Sequence, residues 1–294
     1  MKDLISMRDL TKDFVYHMFK QADKMKLRYE MGEVYKPLEG KTIIASFPPT
    51  SIRTRVSFET GIFQLGAQPL NLQMKFEDEE LIEDKIGHLN CWTDGLVIRH
   101  SSQELLQRIA ELAEFPVING MTKDSHPCEI LSDLHAIYKL RPNLEGLKFV
   151  FVGEGANISN TWFEAAALLN LNITQLCPQG YEINQGLFDY ASRCSKGKVS
   201  ITHDLIEALQ DADVVLTDSW PAEAEELKKF MPYQLTLEAL KVTSKGCLVN
   251  PCPPINRAHA VPNEVMNSDY FIGYKAKESL LHMQKAILEE FMGK

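Results

Sequence analysis

The chain has 294 residues, 45% of them hydrophobic and 24% charged, and at about 100–200 residues per domain that length suggests two domains. Its 31 basic and 40 acidic residues leave a net charge of −9. That balance argues against a general nucleic-acid or anionic-membrane binder, but it leaves room for a local anion site made by a few arginines.

An amphipathic helix is predicted over residues 12–26, with Val15, Met18, Phe19, Ala22 and Met25 on one stripe and Thr11 as its N-cap. A strand follows at 42–47, and helical periodicity resumes over 57–65. Strands at 95–99 and 116–119 alternate with helices at 103–113 and 129–140. After a Pro/Gly break at 141–146, strands are predicted at 148–152, 172–176, 214–217 and 247–250, with helices at 160–169 and 279–291. Several strands are continuous apolar runs, the pattern of strands covered on both faces. The class is therefore α/β, with two doubly wound parallel-sheet domains over 1–140 and 146–275. The last helix, 278–294, needs somewhere to bury its stripe and is expected to pack back on the first domain.

The apolar runs fall far short of the ~18–20 residues of a membrane span, and the first residues lack the order of a secretory leader. Six cysteines form no CxxC pair and no zinc spacing. Reduced thiols in a cytoplasmic protein, with no metal, are the expectation.

The most informative stretch runs from Ser46 to Glu59. A strand ends at Phe47, two prolines delay the helix, and the helix begins near Arg53. Ser51 and Thr54 therefore sit with Arg53 and Arg55 at a helix N-terminus, where free amide N–H groups, hydroxyls and guanidinium groups converge on an anion. The plainer alternative is a capped helix with surface arginines. Positive charge in a first helical turn, however, costs about 0.3–1 kcal/mol unless an anion answers it.

Ser51-Ile-Arg-Thr-Arg55, preceded by Phe47 and followed by Phe58-Glu59, resembles the Ser-Thr-Arg-Thr-Arg carbamoyl-phosphate signature of the aspartate/ornithine carbamoyltransferase family. Further matches fall in the family's order. Asp94-Gly-Leu-Val-Ile-Arg99 resembles the strand that ends in an arginine, and His126-Pro-Cys-Glu-Ile-Leu-Ser-Asp133 the His-Pro-x-Gln-x-Leu-x-Asp motif. Gly153-Glu-Gly-Ala-Asn157 is similar to the Gly-Asp-Gly-Asn-Asn turn, Thr217-Asp-Ser-Trp220 to Thr-Asp-x-Trp, and Tyr233-Gln-Leu-Thr236 to Tyr-Gln-Val-Thr.

The resemblance implies a carbamoyltransferase without a cofactor. Its site would lie in a cleft between the domains of a homotrimer whose subunits share active sites. Ser51, Arg53, Thr54 and Arg55 would bind the phosphate of carbamoyl phosphate. Arg99, His126 and Thr54 would polarise its carbonyl as catalytic groups, with Glu129 beside them. Asn157, Asp218, Cys252 and Pro253 would bind the amine substrate.

Four departures bear on that amine. Glu129 replaces a glutamine, so it accepts but does not donate. Pro221-Ala-Glu-Ala-Glu-Glu226 stands where ornithine enzymes carry a Ser-Met-Gly loop. Lys75-Phe-Glu-Asp-Glu-Glu80 is acidic where the family's loop is basic or carries histidine, and is either a solvated face or a receiver for a cationic amine. Asn250-Pro-Cys-Pro-Pro254 replaces His-Cys-Leu-Pro, and only Lys277 stands near the expected C-terminal arginine.

Ornithine or an ornithine-like diamine is thus favoured over aspartate, whose two carboxylates would want more basic residues. A non-catalytic, metabolite-binding paralogue remains an alternative, because the departures fall at places the family uses. A nucleotide-binding dehydrogenase is disfavoured: the third glycine of GxGxxG would fall at Ile158.

Overall fold

The computed structural model describes residues 1–76 and 79–293, so Glu77 and Asp78 of the acidic run lie outside the described residues. The strands are β1 (Thr42–Ser46), β2 (Gln68–Asn71), β3 (Gly95–Arg99), β4 (Val117–Met121), β5 (Lys148–Val152), β6 (Asn172–Leu176), β7 (Val199–Thr202), β8 (Val214–Thr217) and β9 (Leu248–Pro251). The helices are α1 (Lys12–Glu30), α2 (Arg53–Gln64), α3 (Ile82–Leu89), α4 (Gln103–Leu112), α5 (Pro127–Leu140), α6 (Asn157–Leu169), α7 (Gln185–Cys194), α8 (Leu205–Leu209), α9 (Ala224–Phe230), α10 (Asn263–Met266) and α11 (Ser279–Met292). The chain divides into two compact units, Met1–Ala136 with Lys277–Lys294, and Ile137–Ala276.

In the first unit the sheet order is β2-β1-β3-β4, all parallel. One face buries Ile44, Leu96, Ile98 and Val117 against Ile86, Leu106 and Ile109 of α3 and α4. Thr11 caps α1 by accepting from the Phe14 amide at 3.2 Å, and the stripe from Val15 to Met25 is buried. The apolar α11 packs against α1 and α2.

In the second unit the order is β7-β6-β5-β8-β9, again parallel. Val150, Val152, Leu176, Val215 and Val249 form one core with Leu209, Leu235, Leu240 and Val265. In each sheet the chain reverses its direction of winding beside the first strand, between β1 and β3 and between β5 and β8. The carboxyl ends of strands at such a reversal form the crevice where doubly wound sheets bind ligands.

α2 begins at Arg53, where the sequence placed its start, and Ser57 lies inside it, its hydroxyl donating to the Arg53 carbonyl at 2.7 Å. One helix starts earlier than its sequence pattern indicated. α6 begins at Asn157 because Ser159, at the third position, accepts from the Ala156 amide at 2.7 Å. The edge strands β2 and β7, and helices α3 and α7–α10, were not anticipated.

Gly155 fits no dinucleotide fingerprint but has a packing role. Its amide donates to the Tyr181 carbonyl at 2.8 Å, and a Cβ there would stand 2.4 Å from the Glu182 carbonyl oxygen. Gly155→Ala is expected to displace the 181–183 backbone and cost about 1–3 kcal/mol, read as a lower denaturation midpoint. An unchanged midpoint would show that the loop yields freely.

Candidate active site

The residues expected from the sequence to bind an anion lie at the β1/β3 reversal. After β1 the Ser51 amide closes a turn on the Pro48 carbonyl at 2.9 Å, and α2 opens with Ile52 as N-cap, which offers its amides no side-chain acceptor. The exposed amides of the first turn and the helix dipole therefore favour an anion there. Ser51 and Thr54 are buried, Arg53 is exposed and Arg55 is half-buried. The Arg55 guanidinium is committed to Glu59, Nε to Oε1 at 2.7 Å, and that same oxygen accepts from Asn71 at 2.8 Å.

Arg99 enters from the end of β3. The β3–β4 register shifts between Ile98 and Arg99, so Arg99 pairs with Met121 while Ile98 pairs with Asn119. A bulge of this kind re-aims a side chain beside a site. Gly120 sits in the bulge, where a Cβ would meet the Phe47 ring at 2.9 Å. Arg99 Nη1 donates to Ser51 Oγ at 3.4 Å, joining the two ends of the crevice.

His126, Glu129 and Asp133 follow at the start of α5, spaced to share one helix face. All three are buried. Burial, with smaller contributions from Arg99 and Lys277, overrides the nearby Glu129 and lowers the His126 pKa to about 4. Its imidazole is therefore neutral at pH 7 and can donate a hydrogen bond to an oxygen while accepting no net charge. Burial pushes Glu129 upward, but the Lys277 ammonium, His126 and Arg53 bring its pKa below the ordinary range. Because His126 is neutral at pH 7, the cation that chiefly holds Glu129 ionised is Lys277. Lys277 Nζ lies 3.2 Å from Glu129 Oε1 and 2.5 Å from Asp133 Oδ1.

In the second unit, Asp218 and Cys252 line one cavity of about 450 Å³ together with Thr217, Ser219 and Trp220. Pro253 lies between two of its lining residues, Cys252 and Pro254, but does not line it, and neither does Asn157. Asn157 opens α6, where its Oδ1 accepts from the Ile158 amide at 2.8 Å. Asn250 is buried at the end of β9 with neither amide atom hydrogen-bonded. Asp133 was missed as a site neighbour, although its place one turn after Glu129 could have signalled it.

His126 carries a testable pH dependence. Its folded pKa of about 4 lies below its ordinary value of 6.5, so the unfolded chain binds the proton first. This contribution to stability is intact above pH 6.5, falls as the pH is lowered toward about 4, and then levels off. The span corresponds to about 3 kcal/mol. Buried His282, also lowered to about 4 chiefly by burial, acts in the same direction. Urea unfolding between pH 7 and pH 4 should show a shallower pH dependence in His126→Gln than in the parent; parallel curves would count against a buried neutral imidazole.

Comparison with known proteins gives a consistent picture. Residues 2–139 match the family described as aspartate/ornithine carbamoyltransferase, carbamoyl-P binding domain, and residues 145–291 match its Asp/Orn binding domain. The chain is 37% identical over 297 residues to an ornithine carbamoyltransferase of Syntrophus aciditrophicus, covering 98% of each chain. It is 36% identical to one of Aquifex aeolicus, covering 98% of this chain and 97% of the relative. Among solved structures, the ornithine carbamoyltransferase of Pyrococcus furiosus superposes with a TM-score of 0.95 at 30% identity, covering 99% of this chain and 97% of the other.

Proposed function

The chain belongs to the aspartate/ornithine carbamoyltransferase family and is a carbamoyltransferase, and from that premise we propose that its acceptor is ornithine and its donor carbamoyl phosphate. The observation that carries the reading is the meeting of Arg99 and Ser51 beside the uncapped start of α2. A phosphate seated on Ser51, Thr54, Arg53 and the first-turn amides would bring a carbonyl oxygen toward Arg99 and neutral His126. Arg55 takes part through its pairing with Glu59.

The amine nitrogen attacks the carbonyl carbon, a C–N bond forms, and charge collects on the carbonyl oxygen. Arg99, His126 and the Thr54 hydroxyl stabilise that oxyanion, and one well-placed donor is worth about 2.7–4 kcal/mol. The tetrahedral state collapses by breaking the C–O bond to phosphate, which leaves with the electron pair. A free alkyl amine has a pKa near 10.4, so it must also shed a proton, and the departing phosphate can accept it. Ionised Glu129 accepts from the carbamoyl amino group.

In the second unit, Asp218 receives the α-ammonium group of the amino acid, with Asn157 and the Cys252–Pro253 segment completing its binding. The protein works in the cytoplasm as a homotrimer of about 100 kDa, built from chains of 33.4 kDa, which light scattering would read directly.

The deciding experiment measures phosphate release from carbamoyl phosphate across ornithine, putrescine, N-acetylornithine and aspartate. Ornithine is expected to give the highest kcat/KM, by about a hundredfold or more over putrescine, because putrescine leaves the polar groups for the amino-acid end unpaired. Preference for another amine would overturn the ornithine assignment, and no turnover with any amine would favour a binding protein.

A further inference from the structure

We propose that Cys177, Glu182 and His203 form a zinc site in the second unit, apart from the groups assigned to carbamoyl transfer. Their ligand atoms, the Cys177 Sγ, a Glu182 carboxylate oxygen and a His203 ring nitrogen, all lie within 4.8 Å of one another. The topology brings them together. Leu176, the last residue of β6, pairs with Thr202, the last residue of β7, so Cys177 and His203 leave neighbouring strands side by side. Glu182 returns from the loop that Gly155 holds through the Tyr181 carbonyl.

The orientation of the imidazole points to a cation. His203 Nδ1 donates to the Cys177 carbonyl at 2.8 Å, which fixes the proton on Nδ1 and leaves Nε2 as the ligating nitrogen. A backbone carbonyl holding the second ring nitrogen is the usual support of a metal-bound histidine. Nε2 then faces Glu182 Oε1 at 3.4 Å. In a neutral ring that places a lone pair against a carboxylate, an arrangement that a proton or a metal ion relieves. Two ligands at about 2.0–2.1 Å from a tetrahedral zinc are themselves about 3.4 Å apart, so this pair already has the spacing zinc requires.

Both Glu182 oxygens also accept from the Gly180 amide at 3.0 Å, which orients the carboxylate. One sulfur, one nitrogen and one oxygen donor suit zinc rather than calcium or magnesium. Water would take the fourth position, reached past the exposed side chain of His203. Binding breaks the S–H bond of Cys177, and the proton goes to solvent as the thiolate joins the metal. The ion would tie the β6–α7 loop to the β7–α8 turn, a binding and stabilising role that requires nothing of the transferase chemistry.

The test titrates the chelator-treated full-length protein with cobalt(II), whose complexes with thiolate show a near-ultraviolet charge-transfer band. Stoichiometric binding with that band is expected. Cys177→Ser should abolish it, His203→Gln should weaken binding by about tenfold or more, and Cys252→Ser should leave it intact. Zinc should also raise the melting temperature of the parent more than that of His203→Gln at the same concentration, and the exposed position of His203 keeps the test valid should Cys177→Ser fail to fold. Absence of the band, or its loss in Cys252→Ser with survival in His203→Gln, would overturn the site.

Discussion

Arg99→Ala is expected to lower kcat about a hundred- to a thousandfold, the loss typical of one removed oxyanion donor. Arg99 lies where β3 ends and donates to Ser51 at 3.4 Å, so its guanidinium borders the proposed phosphate and carbonyl positions at once. If it acts on developing charge, kcat falls more than affinity for carbamoyl phosphate, because the ground-state carbonyl is a weaker acceptor than the oxyanion. Arg99→Lys should recover part of the loss, since it restores the charge without the planar fork. Steady-state kinetics with carbamoyl phosphate varied would separate the two terms. An unchanged kcat with a raised KM would make Arg99 a binding group only.

The second large effect is on stability. Lys277→Met would strip the ammonium that contacts both Glu129 and Asp133, whose side chains are 8% and 3% exposed. Breaking a buried ion pair by removing one partner typically costs about 3–5 kcal/mol, because the remaining charge is left uncompensated. The pH dependence gives the cause away. Without Lys277, burial is expected to raise the folded pKa of Glu129 above its unfolded value, so the folded state holds that proton more tightly. The deficit should therefore be largest at neutral pH and shrink as the pH falls through that raised pKa. Adding Glu129→Gln and Asp133→Asn to Lys277→Met should recover most of the loss in urea unfolding. A deficit that ignores both pH and those substitutions would place the cost in the packing of the lysine stem.

The two sheets were legible because their central strands are covered on both faces and read as continuous apolar runs, as in residues 149–152 of β5. The edge strands were not. Gln68–Asn71 is mostly exposed and contains a proline, and Val199–Thr202 is half-buried along its length, so neither shows a core-strand pattern. The helix start was legible too, and Arg53 and Thr54 occupy the first helical turn that the sequence indicated. The partner of Arg55 was readable in principle, because Glu59 stands four residues on, the spacing of neighbours along one helix face.

Long-range partners left no such trace. Lys277 reaches Glu129 across 148 positions, and no local pattern announces that meeting. Cys177, Glu182 and His203 lie outside every zinc spacing in the sequence. Their proximity comes from strand adjacency between β6 and β7, a property of the sheet rather than of the neighbouring residues.

The most direct test of the central claim is a crystal structure with a phosphonate analogue of carbamoyl phosphate. The phosphonate oxygens are expected within about 2.7–3.2 Å of Ser51 Oγ, the Arg53 guanidinium and the first amides of α2, and the carbonyl oxygen within the same range of Arg99 and His126. A phosphonate bound elsewhere, with Ser51 and Arg99 contacting only solvent, would contradict it.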